Sequence, residues 1–191
     1  MIVVFSHIDF IPDELQILIQ LFENGLEKLH LKKLGNIAQW RGLLTQIPEK
    51  FRKKIVIHSN YELQQEFPEI QLHSGQVFES EGRFISSSAH NMEELEKKIS
   101  EFDYVFLSPI YTSLSKDKYS PMEDFELAIL NDEEKQKVVG LGGVEYERLV
   151  DLRIRGFLHI ALLGTIWNHP ETALANFLKI KKEWESLGNM F

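Results

Sequence analysis

A repeated alternation of two kinds of segment restricts the fold of this sequence more than any other feature. Short runs rich in β-branched and aromatic residues take turns with longer runs whose apolar residues recur at helical spacing. Eight short runs are predicted as strands, at residues 2–5, 29–31, 54–58, 70–73, 83–86, 104–107, 137–140 and 158–162. This alternation predicts a parallel sheet covered by helices, because parallel strands need long crossover connections.

Both a doubly wound sheet and an eight-stranded barrel satisfy that pattern. The count of eight and the even spacing favour the barrel. The chain has 191 residues, which leaves about 24 for each unit, whereas a typical barrel has roughly 250 residues in all. We therefore expect a compact (β/α)8 TIM barrel with shortened helical segments, above all between residues 71 and 84. No linker interrupts residues 1–191, so a single domain is expected.

Helix signals fill most of the intervals between the strands. Pro12 and Asp13 begin one amphipathic run and Gly25 follows its end, while Asn91 and Glu94 have the spacing of a capping box. Helices are predicted at residues 12–24, 37–47, 61–67, 91–102, 121–130, 145–155 and 170–187.

Composition excludes several classes of function. The chain lacks cysteine, which excludes disulfides, thiolate metal sites and a cysteine nucleophile, and which fits a cytoplasmic location. Its net charge of −8 argues against nucleic-acid binding, since phosphate neutralisation needs a basic face. No apolar run is long enough to span a membrane and no basic region precedes the first apolar run, so neither membrane insertion nor a secretory signal is expected.

Histidines cluster where the predicted strands end. Ligands of barrels bind at the carboxyl ends of the strands, and five of the seven histidines fall there: His7, His30, His58, His73 and His90. They predict a pocket, although each ring alone could simply bond the backbone at a strand end. No two histidines have His-x-His or His-x3-His spacing, so no metal site is expected.

Glycines after the seventh and eighth strands predict an anion site. Gly140, Gly142 and Gly143 follow one strand and Gly164 the next, where barrels often bind phosphate through backbone N–H groups. A plain tight turn is the alternative. Lys116, in a loop rich in Ser and Thr, is a candidate to present an ammonium to that phosphate; otherwise it is an exposed loop lysine.

Five stretches resemble, in order, the motifs of the thiamin phosphate synthase and TenI family. Residues 103–116 (DYVFLSPIYTSLSK) are similar to the family's sixth-strand motif. The others are residues 71–76 (QLHSGQ), 88–90 (SAH), 139–144 (VGLGGV) and 156–167 (GFLHIALLGTIW). They are spread along the chain from residue 71 to residue 167.

The resemblance implies a (β/α)8 barrel that binds a small phosphorylated thiazole or pyrimidine. In the synthase, magnesium helps a pyrimidine diphosphate couple to a thiazole phosphate. Carried over by motif, the substrate-binding residues of this sequence are Lys32, Gln76, Ser88, Ser113, Ser115, Lys116, Gly142, Gly143 and Gly164. Association of identical chains is compatible with the sequence.

The departures from the family pattern fall on the diphosphate and magnesium side. Leu34 replaces a lysine, and Ser59 and Val77 replace the two magnesium carboxylates. No cofactor is therefore expected, and magnesium only if the chain is a genuine synthase. The pattern resembles the TenI branch, whose thiazole tautomerases transfer protons without a metal.

Proton transfer needs an acid/base group, and histidine suits that role. The branch's catalytic histidine follows the sixth strand, where this sequence has Pro109. The candidates that remain are His30, His58, His73 and His90. A genuine thiamin phosphate synthase, a non-catalytic binder or regulator of a phosphorylated ligand, and another phosphate-binding barrel enzyme are the alternatives.

Overall fold

Eight parallel strands close into a barrel in the computed structural model, which describes residues 1–75, 83–111 and 127–189. Each strand pairs with the next along the chain, and the last pairs with the first. The strands are Ile2–Phe5 (β1), Lys28–Leu31 (β2), Ile55–Ile57 (β3), Gln71–His73 (β4), Phe84–Ala89 (β5), Tyr104–Leu107 (β6), Val138–Leu141 (β7) and His159–Leu162 (β8). The predicted (β/α)8 barrel is confirmed, and the doubly wound alternative is excluded.

The strands are buried on both faces, and successive side chains belong to different layers. In β1, Ile2 and Val4 pack toward the helices, whereas Val3 and Phe5 fill the barrel interior. The interior layer is small, and its buried members are Val3, Phe5, Val56, Ile85, Tyr104, Phe106, Val139 and Ala161. Burial on both faces explains why the strands appear as nearly continuous apolar runs.

All the described helices except the last have ten residues or fewer, in keeping with the short chain. They are Glu14–Glu23 (α1), Ile37–Gln46 (α2), Glu49–Arg52 (α3), Met92–Lys98 (α4), Asp132–Lys135 (α5), Leu149–Ile154 (α6), Gly164–Trp167 (α7) and Ala173–Gly188 (α8). Single 3-10 turns occur at Tyr61–Gln65, Leu127–Ile129, Tyr146–Arg148 and Pro170–Thr172.

Several helix predictions need correction. The segment predicted as a helix at 61–67 forms only a 3-10 turn, and helices α3, α5 and α7 were not predicted. Helix α4 ends at Lys98, short of the predicted residue 102. Most of the helix predicted at 121–130 lies outside the described residues, and its described end is a 3-10 turn. Elements of four residues are too short to display a helical period.

The first turn of α4 holds the backbone of His90, a candidate site residue. The Asn91 side chain accepts a hydrogen bond from the Glu94 backbone N–H at 2.8 Å, as predicted. The Glu94 carboxylate accepts the backbone N–H of His90 at 3.0 Å and the Asn91 side-chain amide at 3.3 Å, instead of the Asn91 backbone N–H that a reciprocal capping box would use. The end of β5 is thereby fixed to the first turn of α4.

Across the described segments, no helix combines the length and the apolar character needed to cross a membrane.

Candidate functional site

Three histidines from three adjacent strands meet inside the barrel. His30 lies in β2, His58 follows the end of β3, and His73 ends β4. The Nδ1 atom of His30 lies 2.8 Å from the Nε2 atom of His58, and the rings of His58 and His73 stack with centroids 4.0 Å apart. One ring nitrogen from each residue lies within 4.8 Å of the other two. We refer to these three residues as the histidine triad.

Polar side chains of β5 and β6 contact the ring nitrogens of the triad. The Nε2 atom of His30 lies 2.7 Å from the Tyr104 hydroxyl, and the Nδ1 atom of His73 lies 2.9 Å from Ser86 Oγ. The Nε2 atom of His73 is 3.3 Å from Ser88 Oγ. The ring orientations are therefore set by a connected polar network inside the barrel.

Burial keeps the triad uncharged at neutral pH. His30 is fully buried and His73 is 5 % exposed. Burial, and then the neighbouring imidazoles, hold the pKa values of His30 and His58 well below the usual 6.5. Burial, and then the charges of Lys32 and Lys98, lower the pKa of His73 to about 3. Neutral imidazoles keep a nitrogen lone pair, which is the form that binds metals.

His90 lies apart from the triad and is exposed just beyond β5. Its Nδ1 atom is 2.8 Å from the carbonyl oxygen of Ser108. Because a carbonyl oxygen can only accept, Nδ1 carries the hydrogen and Nε2 carries the lone pair in the neutral ring. The imidazole therefore lies beside the residue that precedes Pro109, the position at which the resemblance places the tautomerase histidine.

The glycine loop after β7 packs closely against the same segment. Gly142 and Gly143 have φ values of 105° and 65°, which side chains rarely adopt. A Cβ atom on Gly142 would lie 3.0 Å from the Pro109 backbone. The backbone N–H of Ile110 donates to Leu141 O at 3.1 Å. The loop is thus fixed against the end of β6, as close approach of the backbone to a ligand would require.

The other predicted ligand residues are divided between described and undescribed parts of the chain. Lys32 is exposed directly after β2, and Ser88 lies in β5 beside His73. Gly164 begins helix α7. Gly140 lies within β7, where a Cβ would come 2.9 Å from Ile110, so its small size serves packing. Gln76, Ser113, Ser115 and Lys116 lie outside the described residues.

Sequence reasoning missed Tyr104, Ser86 and Arg148. Tyr104 and Ser86 support the triad, and the Arg148 guanidinium donates to Gly143 O at 2.9 Å and covers the Tyr111 ring at 4.6 Å. Spacing rules examine neighbours along one strand, so they did not reveal a triad contributed by three strands. The histidines at the ends of three consecutive strands did predict a pocket, because adjacent parallel strands bring such ends together, but they did not predict that the three rings contact one another.

The described residues do not fit the magnesium ion of the synthase. Magnesium prefers oxygen ligands in octahedral geometry. Ser59 stands exposed where the resemblance implies a carboxylate, and Val77 lies outside the described residues. Within residues 1–75, 83–111 and 127–189, the only group of three histidine or acidic side chains whose ligand atoms converge is the triad, which offers nitrogen.

Comparisons with known proteins agree with the fold and the motifs. The family profile "Thiamine monophosphate synthase" matches residues 70–166. The thiamine phosphate pyrophosphorylase of Bacteroides thetaiotaomicron is 30 % identical, with 95 % of each chain covered and a TM-score of 0.73.

More distant similarity supports the fold alone. The thiamine phosphate pyrophosphorylase of Pyrococcus furiosus is 12 % identical over 97 % of this chain and 95 % of that one, with a TM-score of 0.75. A mutant tryptophan synthase α-subunit from the same organism is 13 % identical over 98 % of this chain and 96 % of that one, with a TM-score of 0.56. No curated protein matches the sequence. The profile match and the 30 % identity over nearly the whole chain show that this protein belongs to the thiamine monophosphate synthase family.

Proposed function

We propose that this barrel binds a thiazole phosphate and isomerises it by proton transfer, as TenI-like tautomerases do, with His90 as the acid/base group. The observation that carries the proposal is the 2.8 Å contact between His90 Nδ1 and Ser108 O. It brings an imidazole to the end of β6, where the family's tautomerases have theirs. Pro109 removes that histidine from one strand, and His90 supplies a ring from the neighbouring strand.

His90 suits proton transfer better than the other three candidate histidines do. A general acid/base works best with a pKa near the operating pH. The pKa of His73 is lowered to about 3, and those of His30 and His58 are also far below 6.5. His90 is exposed, so a ligand can reach its ring, and the Ser108 carbonyl fixes its tautomer.

The phosphate would bind at the glycine loop. Gly142 lies against Pro109, and both Gly142 and Gly143 have positive φ angles; successive backbone N–H groups in such conformations bind anions. By resemblance, Ser113, Ser115 and Lys116 would complete the phosphate site, with Gly164 from the next loop. Lys32, Gln76 and Ser88 would contact the rest of the ligand.

Diphosphate coupling is the weaker alternative. It requires a cation to stabilise the leaving diphosphate, and Leu34, Ser59 and Val77 stand in place of the family's lysine and carboxylates. The proposed proton transfer needs no metal and no other cofactor. A small phosphorylated substrate and the absence of cysteine fit a cytoplasmic enzyme.

The test is isomerisation of thiazole phosphate carboxylate by the wild type, His90→Gln and the control His169→Gln. His169 is an exposed histidine paired with Glu171. We expect His90→Gln to lower kcat by about 100-fold or more with little change in KM, and His169→Gln to match the wild type. The reaction is followed by the NMR signals of the two tautomers.

Two results would contradict the proposal. One is ordinary turnover by the wild type with pyrimidine diphosphate, thiazole phosphate and magnesium, which would identify a synthase. The other is undiminished isomerisation by His90→Gln. Binding of thiazole phosphate by calorimetry without any turnover would instead identify a binder or regulator.

A further inference from the structure

We infer that the histidine triad is a binding site for one divalent transition-metal ion of the zinc type, with His30, His58 and His73 as its three protein ligands. The inference does not depend on the proposed function, because metal binding can be measured without any substrate. It also differs from the magnesium site of the synthase in both ligands and metal.

The first argument is distance. A tetrahedral zinc ion with Zn–N bonds of 2.0–2.1 Å holds its nitrogen ligands about 3.3 Å apart. In the triad, His30 Nδ1 and His58 Nε2 are 2.8 Å apart, and the ligand atoms of all three residues lie within 4.8 Å of one another. These separations bracket the required value, so small ring rotations bring the three nitrogens onto one ion.

The second argument concerns the oxygen atoms that contact the second ring nitrogens of two of the histidines. A histidine that ligates a metal usually donates its other ring N–H to an oxygen atom, which fixes the tautomer and the ring orientation. His30 has the Tyr104 hydroxyl at its Nε2 atom, and His73 has Ser86 Oγ at its Nδ1 atom. Both oxygens can accept. His30 Nδ1 and His73 Nε2 are thus the nitrogens that would ligate the metal, and His73 Nε2 would exchange its 3.3 Å contact with Ser88 Oγ for the ion.

The ligand chemistry selects the metal. Three neutral imidazoles suit zinc, cobalt, nickel or copper, whereas magnesium and calcium require oxygen donors. Within the part of the chain that the structure describes, no carboxylate belongs to the cluster, so a bound ion would keep its full double charge. Lys32 and Lys98 act electrostatically on His73, and their positive charges favour an anion as the fourth ligand. A carboxylate, phosphate or hydroxide would satisfy both the ion and the lysines.

The experiment is a titration of chelator-treated protein with Co²⁺ and with Zn²⁺. We expect one equivalent to bind, the visible absorption bands of tetrahedral Co²⁺ to appear, and Zn²⁺ to displace Co²⁺ stoichiometrically. A large excess of Mg²⁺ should leave the Co²⁺ spectrum unchanged. His58→Gln, at the least buried triad position, should weaken Zn²⁺ binding at least about 100-fold.

Matched variants separate the triad from other histidines. His169→Gln and His90→Gln should bind Zn²⁺ as the wild type does, so a failed metal site and a failed proton-transfer site give different results. Tyr104→Phe removes the oxygen behind His30 and keeps all three ligands, and it should weaken binding about 10- to 100-fold. Thermal unfolding of each variant establishes that it is folded.

Three outcomes would overturn the inference. They are the lack of stoichiometric Co²⁺ or Zn²⁺ binding by the wild type, unchanged affinity in folded His58→Gln, and equal competition by Mg²⁺. If His58→Gln does not fold, unchanged affinity in Tyr104→Phe decides against the site.

Discussion

At the scale of single residues, an ion pair at the loop after β2 shows how burial raises the cost of leaving a charge without its partner. The Lys33 ammonium lies 2.7 Å from Glu14 Oε2, and neither side chain is more than 3 % exposed. It also donates to the carbonyl oxygens of His7 at 2.9 Å and Asp9 at 2.8 Å. Burial raises the pKa of Glu14 and lowers that of Lys33. Either charge alone would therefore be costly to keep in place.

We predict that Lys33→Met lowers the free energy of unfolding by about 3–5 kcal/mol, because it leaves the Glu14 carboxylate buried without a cation. The double variant Lys33→Met with Glu14→Leu should recover most of that loss. Urea unfolding measures both. As a control, Arg41→Met breaks the exposed pair with Glu66, which should cost less than about 1 kcal/mol. Strictly additive effects in the Lys33 and Glu14 cycle would contradict the prediction.

The histidine triad shows how much of the site could be predicted from the sequence. The sequence predicted that His30, His58 and His73 would lie at the ends of consecutive strands, because the apolar runs mark those ends. The sequence could not predict which ring nitrogens face each other. That depends on the strand register and on contacts with Ser86 of β5 and Tyr104 of β6. For the same reason it could not predict that Lys33 is buried while Lys32 is exposed.

At the scale of elements, strands were predicted more accurately than helices. Strands β1 and β6 match their predicted bounds, and the other strands agree within a few residues. Strands of a parallel sheet are apolar on both faces, so even four residues give a clear signal. Helices α3, α5 and α7 each have four residues, which is about one turn, and one turn does not reveal a period of 3.6 residues.

Helix α2 offers a direct test of local sequence signals. Asn36 Oδ1 accepts the Gln39 backbone N–H, and Gln39 Oε1 accepts the Asn36 backbone N–H, both at 3.1 Å. We predict that Asn36→Ala lowers the free energy of unfolding by about 1 kcal/mol, because it leaves an N-terminal N–H group without its acceptor. Gln46→Ala, at the exposed end of the same helix, should change it by less than about 0.5 kcal/mol. Equal effects in chemical denaturation would argue against the cap.

At the scale of the whole molecule, the larger apolar cluster and the histidine triad lie in different layers of the barrel. The larger apolar cluster lies between the sheet and the helices and includes Phe22, which stacks on Phe51 at 4.9 Å. The smaller cluster fills the barrel interior, where Phe106 contacts Phe5 at 5.1 Å and His30 at 4.7 Å between ring centroids. Among the described residues, the aromatic rings that contact the triad rings come from the interior layer, whereas Tyr61 of the larger cluster donates to the backbone carbonyl oxygens of His58 and His73. Changes in the interior layer should therefore alter the ring geometry of the site most directly.

This separation predicts different consequences for two similar substitutions. Phe106→Leu and Phe22→Leu each remove part of a buried ring and should each lower the free energy of unfolding by about 1–3 kcal/mol. Phe106→Leu should also weaken Zn²⁺ binding about 10-fold or more, because the His30 ring loses the edge-to-face neighbour that fixes its orientation. Phe22→Leu should bind Zn²⁺ as the wild type does. Calorimetric titration of both variants, at a temperature where each is folded, makes the comparison. If the two variants bound Zn²⁺ equally well, Phe106 would serve packing alone, and the orientation of His30 would depend on its 2.7 Å contact with the Tyr104 hydroxyl.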